Sequence, residues 1–296
     1  MPLSLSDEAV IITSKQGLHK HNRIMQNNLS FGHYDRIIIH TPHAGTVLPI
    51  HFHVIKHQKA ITHNNELKGL ILPYYRLLTD HYTDKLFSFV AEGAGILRNG
   101  FMRSKIRQIT FPYSRLFCDV ERLENDPLEE KGLGIHYDFN KIAGYDFNNY
   151  WEYGKLKAIQ LYYEHQEELS DSIENTFGSA LLLDCHSFSE QDNVLCPHAH
   201  VYKDIDICIG FNEDDTKPSE EFIDSVKKYF TSCGYRVECN VPFSNSKTVN
   251  AAHPYQSLMI EVNKHCYMNE ETLEITDGYY KLHRELQELY AALVKG

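Results

Sequence analysis

Leu181-Leu182-Leu183-Asp184-Cys185-His186-Ser187 is the stretch around which this chain is organised. Three consecutive aliphatic residues suit a strand buried on both faces, as in a parallel sheet covered by helices. The run turns polar at one end, where open α/β sheets place their chemistry. A histidine leaving so rigid an element can hold its ring for a metal or a proton. A second segment, Ile37-Ile38-Ile39-His40-Thr41-Pro42-His43-Ala44-Gly45, has the same shape. Two apolar strands ending in histidine point to strand ends converging on one site. Two loop histidines with ordinary hydrogen bonds are the plain alternative.

The totals narrow the function classes. With 296 residues, the chain is long enough to bury a substantial core. Its 42% apolar and 23% charged residues are those of an ordinary globular protein. A net charge of −11 without any Lys/Arg cluster argues against a nucleic-acid partner. No apolar run reaches membrane-spanning length, and no basic start precedes an apolar core, so neither membrane span nor signal peptide is expected. The 7 cysteines form no C-x-x-C pair, which fits reduced thiols in a cytoplasmic protein. The 18 histidines make chance pairs common, so context must decide which matter.

Periodicity places the remaining elements. Ala9 to Ile12 reads as a strand or arm, and His51, His53, His57 and His63 as a solvated loop. A helix is predicted from Leu77 to about Gly93, with Thr79 or Asp80 as its cap. Short strands follow at Gly95–Leu97 and Arg115–Val120. Residues 123–150 are turn-rich and long for a connection, which marks a lid or insertion. Trp151 to about Phe177 reads as a helix with Leu156, Ile159, Tyr163 and Leu169 on its apolar side. A strand at Ile205–Ile209 comes next, then a helix carrying Phe222, Ile223, Val226, Tyr229 and Phe230. Strands at Tyr235–Val241 and Leu258–Asn263 lead to a final helix from Leu273 to Val294. Strands alternating with helices imply one α/β domain over residues 1–296, with a mixed, mainly parallel sheet flanked by helices.

Unusual polar groups sit in four of these segments. Glu261 lies inside Leu-Met-Ile-Glu-Val, where a charge is costly to bury without a partner. It reads as a structural salt bridge, an edge residue facing water, or a general base beside a metal. Arg115 and Arg122 carry planar forks suited to a substrate carboxylate, and equally to a structural pair with Asp119. In a strand over 115–120, Arg115, Phe117 and Asp119 would share one side. Two histidines and a carboxylate would make a catalytic zinc site, although no His-Glu-x-x-His motif is present.

Six segments, in order, resemble the N-formylglutamate amidohydrolase family. They are Thr41–Gly45 with Leu48-Pro49, Thr79–Phe87, Ser114–Asp119 through Arg122, Asp184–Ser187, Gly234-Tyr235 to Phe243, and Ile260–Asn263. The resemblance implies a fold like that of the zinc carboxypeptidases, with metal ligands at strand ends. It implies hydrolysis, at a divalent metal ion such as Zn2+, of the amide in a small N-acyl amino acid such as N-formylglutamate. His43 and His186 match the ligand histidines. Thr46 stands where those peptidases carry a glutamate ligand, so Asp80 becomes the candidate third ligand, unless it caps its helix. Glu261 matches the general base and Arg115 the group that polarises the scissile carbonyl. Arg122, with Ser187 and Asn263, would bind the carboxylate-bearing substrate. One departure is Glu121, where the family has asparagine; a carboxylate beside the clamp repels an anionic substrate. A peptidase or deacylase on larger substrates, or a non-catalytic binding relative, is the rival reading.

Overall fold

A computed structural model of the chain describes residues 29, 31, 33–48, 72–89, 104–143, 151–246 and 249–294. The expected strands at Ala9–Ile12 and Gly95–Leu97, and the loop histidines 51 to 63, lie outside the described residues.

The two strand-to-histidine runs form neighbouring strands, β1 (Arg36–Thr41) and β3 (Ala180–Phe188), with every residue of β3 buried. With β2 (Ile106–Thr110), β4 (Ile207–Gly210), β5 (Val237–Cys239) and β6 (Tyr255–Asn263) they make one sheet, ordered β2-β1-β3-β6-β4-β5. All neighbouring pairs are parallel except β4 and β6. A mixed, mainly parallel sheet is therefore what the alternation of strands and helices produces.

Helices cover both faces. On one, Ile37, Leu183, Cys185 and Ile260 pack against Phe222 and Val226 of the helix Glu220–Ser232 and Leu286 and Leu289 of the helix Asp277–Leu293. On the other, Ile38 and Leu182 meet Leu169 and Ile173 of the helix Trp151–Glu174. Period-two alternation sends His40, Asp184 and His186 to this second face. Glu261 joins them because it is the register partner of His186.

Three expectations need correction. Arg115–Val120 is a turn, not a strand: Phe117 and Cys118 both donate their N–H to the Ser114 carbonyl. The strand on that edge is Ile106–Thr110. The expected long helix at 77–93 is broken: residues 72–78 are helical, and a short helix resumes at Thr83–Leu86. Between them the Asp80 N–H bonds to the His43 carbonyl, and Tyr82 takes a left-handed φ of 67°. The helix Trp151–Glu174 also presents a different stripe. Ala158, Leu161, Tyr162, Leu169 and Ile173 are buried, whereas Leu156 and Tyr163 are 69% and 50% exposed.

Residues 123–143 pack as part of the body. Leu133, Tyr137 and Phe139 form a cluster with Leu78 and Leu116.

Candidate active site

β1, β3 and β6 run in the same direction, and their carboxyl ends border a cleft of about 300 Å³. His43, Asp80, Arg115, Glu121, Arg122, His186, Ser187 and Glu261 all line it. All but one of the residues expected at the site are thus brought together. Asn263 is not: its side-chain amide donates to the Ile205 carbonyl and its oxygen accepts from the His265 N–H.

The buried carboxylate of Asp119 anchors one wall. Its Oδ1 meets His43 Nε2 at 2.9 Å and accepts from the Glu121 N–H at 3.2 Å. Its Oδ2 accepts from Arg115 at 2.8 Å, Arg122 at 3.2 Å and the Tyr137 hydroxyl at 2.7 Å. Burial works to raise this carboxyl, but the Arg115 guanidinium, then His43 and Arg122, outweigh it and hold it well below the carboxylate range. Both arginines therefore make the ion pair that was the structural alternative, while still lining the cleft.

The histidine rings lie with centroids 5.1 Å apart. One Asp80 oxygen is 3.8 Å from His43 Nδ1 and 3.3 Å from His186 Nδ1. The side chain of Asp80 makes no helix cap; the short helix after it has none. Glu121 lies on the opposite edges of both rings, 3.4 Å from His43 Nε2 and 3.1 Å from His186 Nε2. It thus meets the histidines as well as flanking Arg122.

Behind His186 runs a buried polar chain that the sequence alone does not suggest. Asp184 Oδ1 meets His186 Nε2 at 3.3 Å and His40 Nδ1 at 2.8 Å. The other nitrogen of His40 meets His165 at 2.9 Å. Burial pushes His165 down to about 3, so that ring is neutral. Asp184 and His40 end apolar runs in the sequence, but only the fold puts them in register on adjacent strands. His165 gave no signal.

A metal ion fits the donors present. His43 Nδ1 is buried and has no hydrogen-bond partner among the described residues. It stands 3.8 Å from an Asp80 oxygen, and a cation between the two would satisfy both. His43, Glu121 and His186 also offer ligand atoms within 4.8 Å of one another. Asp80 stands on the Nδ1 edge of both rings, and each Nε2 meets a carboxylate. Burial would lower His186, yet Glu121 and Asp184 raise it well above the ordinary histidine range, so the site stabilises positive charge.

Glu261 is 7% exposed on a strand flanked by β3 and β4, which excludes an edge residue facing water. No ion pair to it is found among the described residues. Burial pushes its carboxyl up to about 8, the charge on Asp80 and Glu121 adds to that, and His186 opposes it.

Fold and cleft together define an α/β protein whose strand ends converge on a histidine–carboxylate site. The N-formylglutamate amidohydrolase family model matches residues 35–268, and the chain belongs to that family. The fold is similar to the crystal structure of N-formylglutamate amidohydrolase from Ralstonia eutropha JMP134, with a TM-score of 0.63 and 20% identity over 88% of this chain and 94% of that one. A gene product of Agrobacterium tumefaciens is similar with a TM-score of 0.52 and 14% identity, over 87% and 89% of the two chains. No curated protein matches in sequence. No helix among the described residues is long and apolar enough to cross a membrane.

Proposed function

We propose that this chain is a metal-dependent amidohydrolase that cleaves the acyl–nitrogen bond of a small N-acyl amino acid. The observation that carries the reading is the bare Nδ1 of His43, aimed with His186 Nδ1 at Asp80 beside the buried Glu261. His43, His186 and Asp80 would hold the ion, and two nitrogens with one oxygen suit zinc. Bound there, it would supply a Lewis acid and lower the pKa of water to about 7.

Glu261 takes the proton of the attacking water as the water oxygen bonds to the acyl carbon. It returns that proton to the amide nitrogen as the C–N bond breaks. A carboxyl pushed up to about 8 is poised to accept and give back a proton near neutrality. Arg115 lines the cleft, and its guanidinium would polarise the acyl oxygen. Arg122 sits beside it to clamp the α-carboxylate, and Ser187 lines the same cleft. Seven free cysteines accord with a cytoplasmic setting.

The test is metal analysis of the purified protein followed by a zinc-replete turnover screen of N-acyl amino acids and short peptides. Stoichiometric metal and release of free amino acid are expected. Cleavage of peptides with N-acyl amino acids untouched would replace this reading with a peptidase. Absence of both metal uptake and turnover would leave a binding relative.

A further inference from the structure

Resting on that reading, we infer that the substrate carries one carboxylate and an uncharged, apolar side chain, so that N-formyl-leucine is a better model of it than N-formylglutamate.

The first observation is the charge around the cleft. Asp80, Glu121, Glu261 and Asp119 stand against the guanidinium groups of Arg115 and Arg122. Four carboxylates thus stand against two guanidinium groups, so the side chains around the cleft hold no surplus of fixed positive charge. Both arginines already pair with Asp119, so their remaining donors can serve one substrate carboxylate. No lysine and no third arginine lines the cleft among the described residues. A second carboxylate would find no further cation among the described lining residues, only neutral donors such as Ser189, Asn193 and Ser244, and a buried charge without a counter-ion is unfavourable.

The second observation is an apolar wall of the cleft. Leu77, Leu78, Leu128 and Leu195 line the cleft together and pack on the cluster formed by Leu116, Leu133, Tyr137 and Phe139. Phe243 and Met259 extend the apolar lining beyond them. A leucine-sized side chain laid there removes apolar surface from water on both partners. A lysine side chain is disfavoured too, because Glu121 is turned to the two histidines and not toward this wall. Hydrolysis would add water across the acyl C–N bond, releasing the acyl acid and the free apolar amino acid.

The experiment measures kcat/KM for N-formyl-L-leucine, N-formyl-L-glutamate and N-formyl-L-lysine with the zinc-loaded protein. Titration calorimetry of the same three compounds is run alongside. The leucine compound should exceed the other two by about tenfold or more, within the range that pocket contacts of this kind supply. Leu128→Arg, or Leu195→Lys should the first not fold, should shift the ratio toward glutamate. Glutamate or lysine equal to leucine in the wild-type protein would overturn the inference. Tighter binding of the leucine compound without turnover of any of the three would overturn the hydrolase reading instead and support the pocket assignment.

Discussion

His43 and Asp119 share a contact of 2.9 Å between Nε2 and Oδ1, and it decides what the other side of the ring can do. The contact holds the ring so that Nδ1 is turned toward Asp80, 3.8 Å away. Asp119→Asn keeps the shape but weakens that hold. Zinc affinity should fall by about 10–100-fold, as measured by competition with a chromophoric chelator. The melting temperature should drop as well, because Arg115 and Arg122 lose their counter-ion. Unchanged zinc affinity would detach Asp119 from the metal.

The two carboxylates flanking the rings can be told apart. Asp80 faces both Nδ1 atoms and Glu121 both Nε2 atoms. Asp80→Asn should lose stoichiometric zinc, whereas Glu121→Gln should retain it within about tenfold. Metal content of the two variants, prepared side by side, is the measurement. The reverse order would place the ion on the Nε2 edge.

Glu261→Gln removes a proton acceptor and keeps its shape. The turnover number should fall by about 10²–10⁴-fold, with zinc content near that of wild type. The melting temperature should not fall, since no ion pair to Glu261 is found among the described residues to be broken. Wild-type turnover in this variant would end the assignment of Glu261 as the base.

A pH effect follows from His136, which donates Nδ1–H to the Phe117 carbonyl at 2.6 Å. Burial pushes this ring from 6.5 down to about 4, so the folded protein keeps it neutral where the unfolded chain binds a proton. Its contribution to stability is full above pH 6.5 and is lost as the pH falls toward 4, at about 1.4 kcal/mol for each pH unit crossed. His136→Gln should flatten the fall of stability across that window, as read from urea unfolding at several pH values. Parallel curves for the two proteins would show that His136 does not titrate in the fold.

What was legible in the sequence was whatever a short window determines. The all-buried β3 announces itself in Leu181-Leu182-Leu183, and Glu261 stands out because its neighbours are apolar. The turn after Ser114 reads as a strand because Arg115, Phe117 and Asp119 alternate as strand residues do. Arg115 and Asp119 are also four residues apart, close enough to pair across a turn. The break at Thr79–Tyr82 was hidden because its cause is distant: the His43 carbonyl holds the Asp80 N–H. The central place of Asp119 was invisible for the same reason, since its partners include His43 and Tyr137 as well as near neighbours. Local pattern supplies strands; partners from elsewhere in the chain define the cleft.

Register carries a further consequence, for which changes in chain length this protein can tolerate over its descent. His40 stands opposite Asp184, and His186 opposite Glu261, on adjoining parallel strands. One residue inserted within β6 ahead of Glu261 would turn its carboxylate to the other face, among Leu282 and Leu286, and bring an aliphatic neighbour to the cleft. Insertions and deletions are therefore barred from the three strands whose ends meet at the cleft, and equally from the turn after Ser114 that carries Arg115, Asp119 and Glu121.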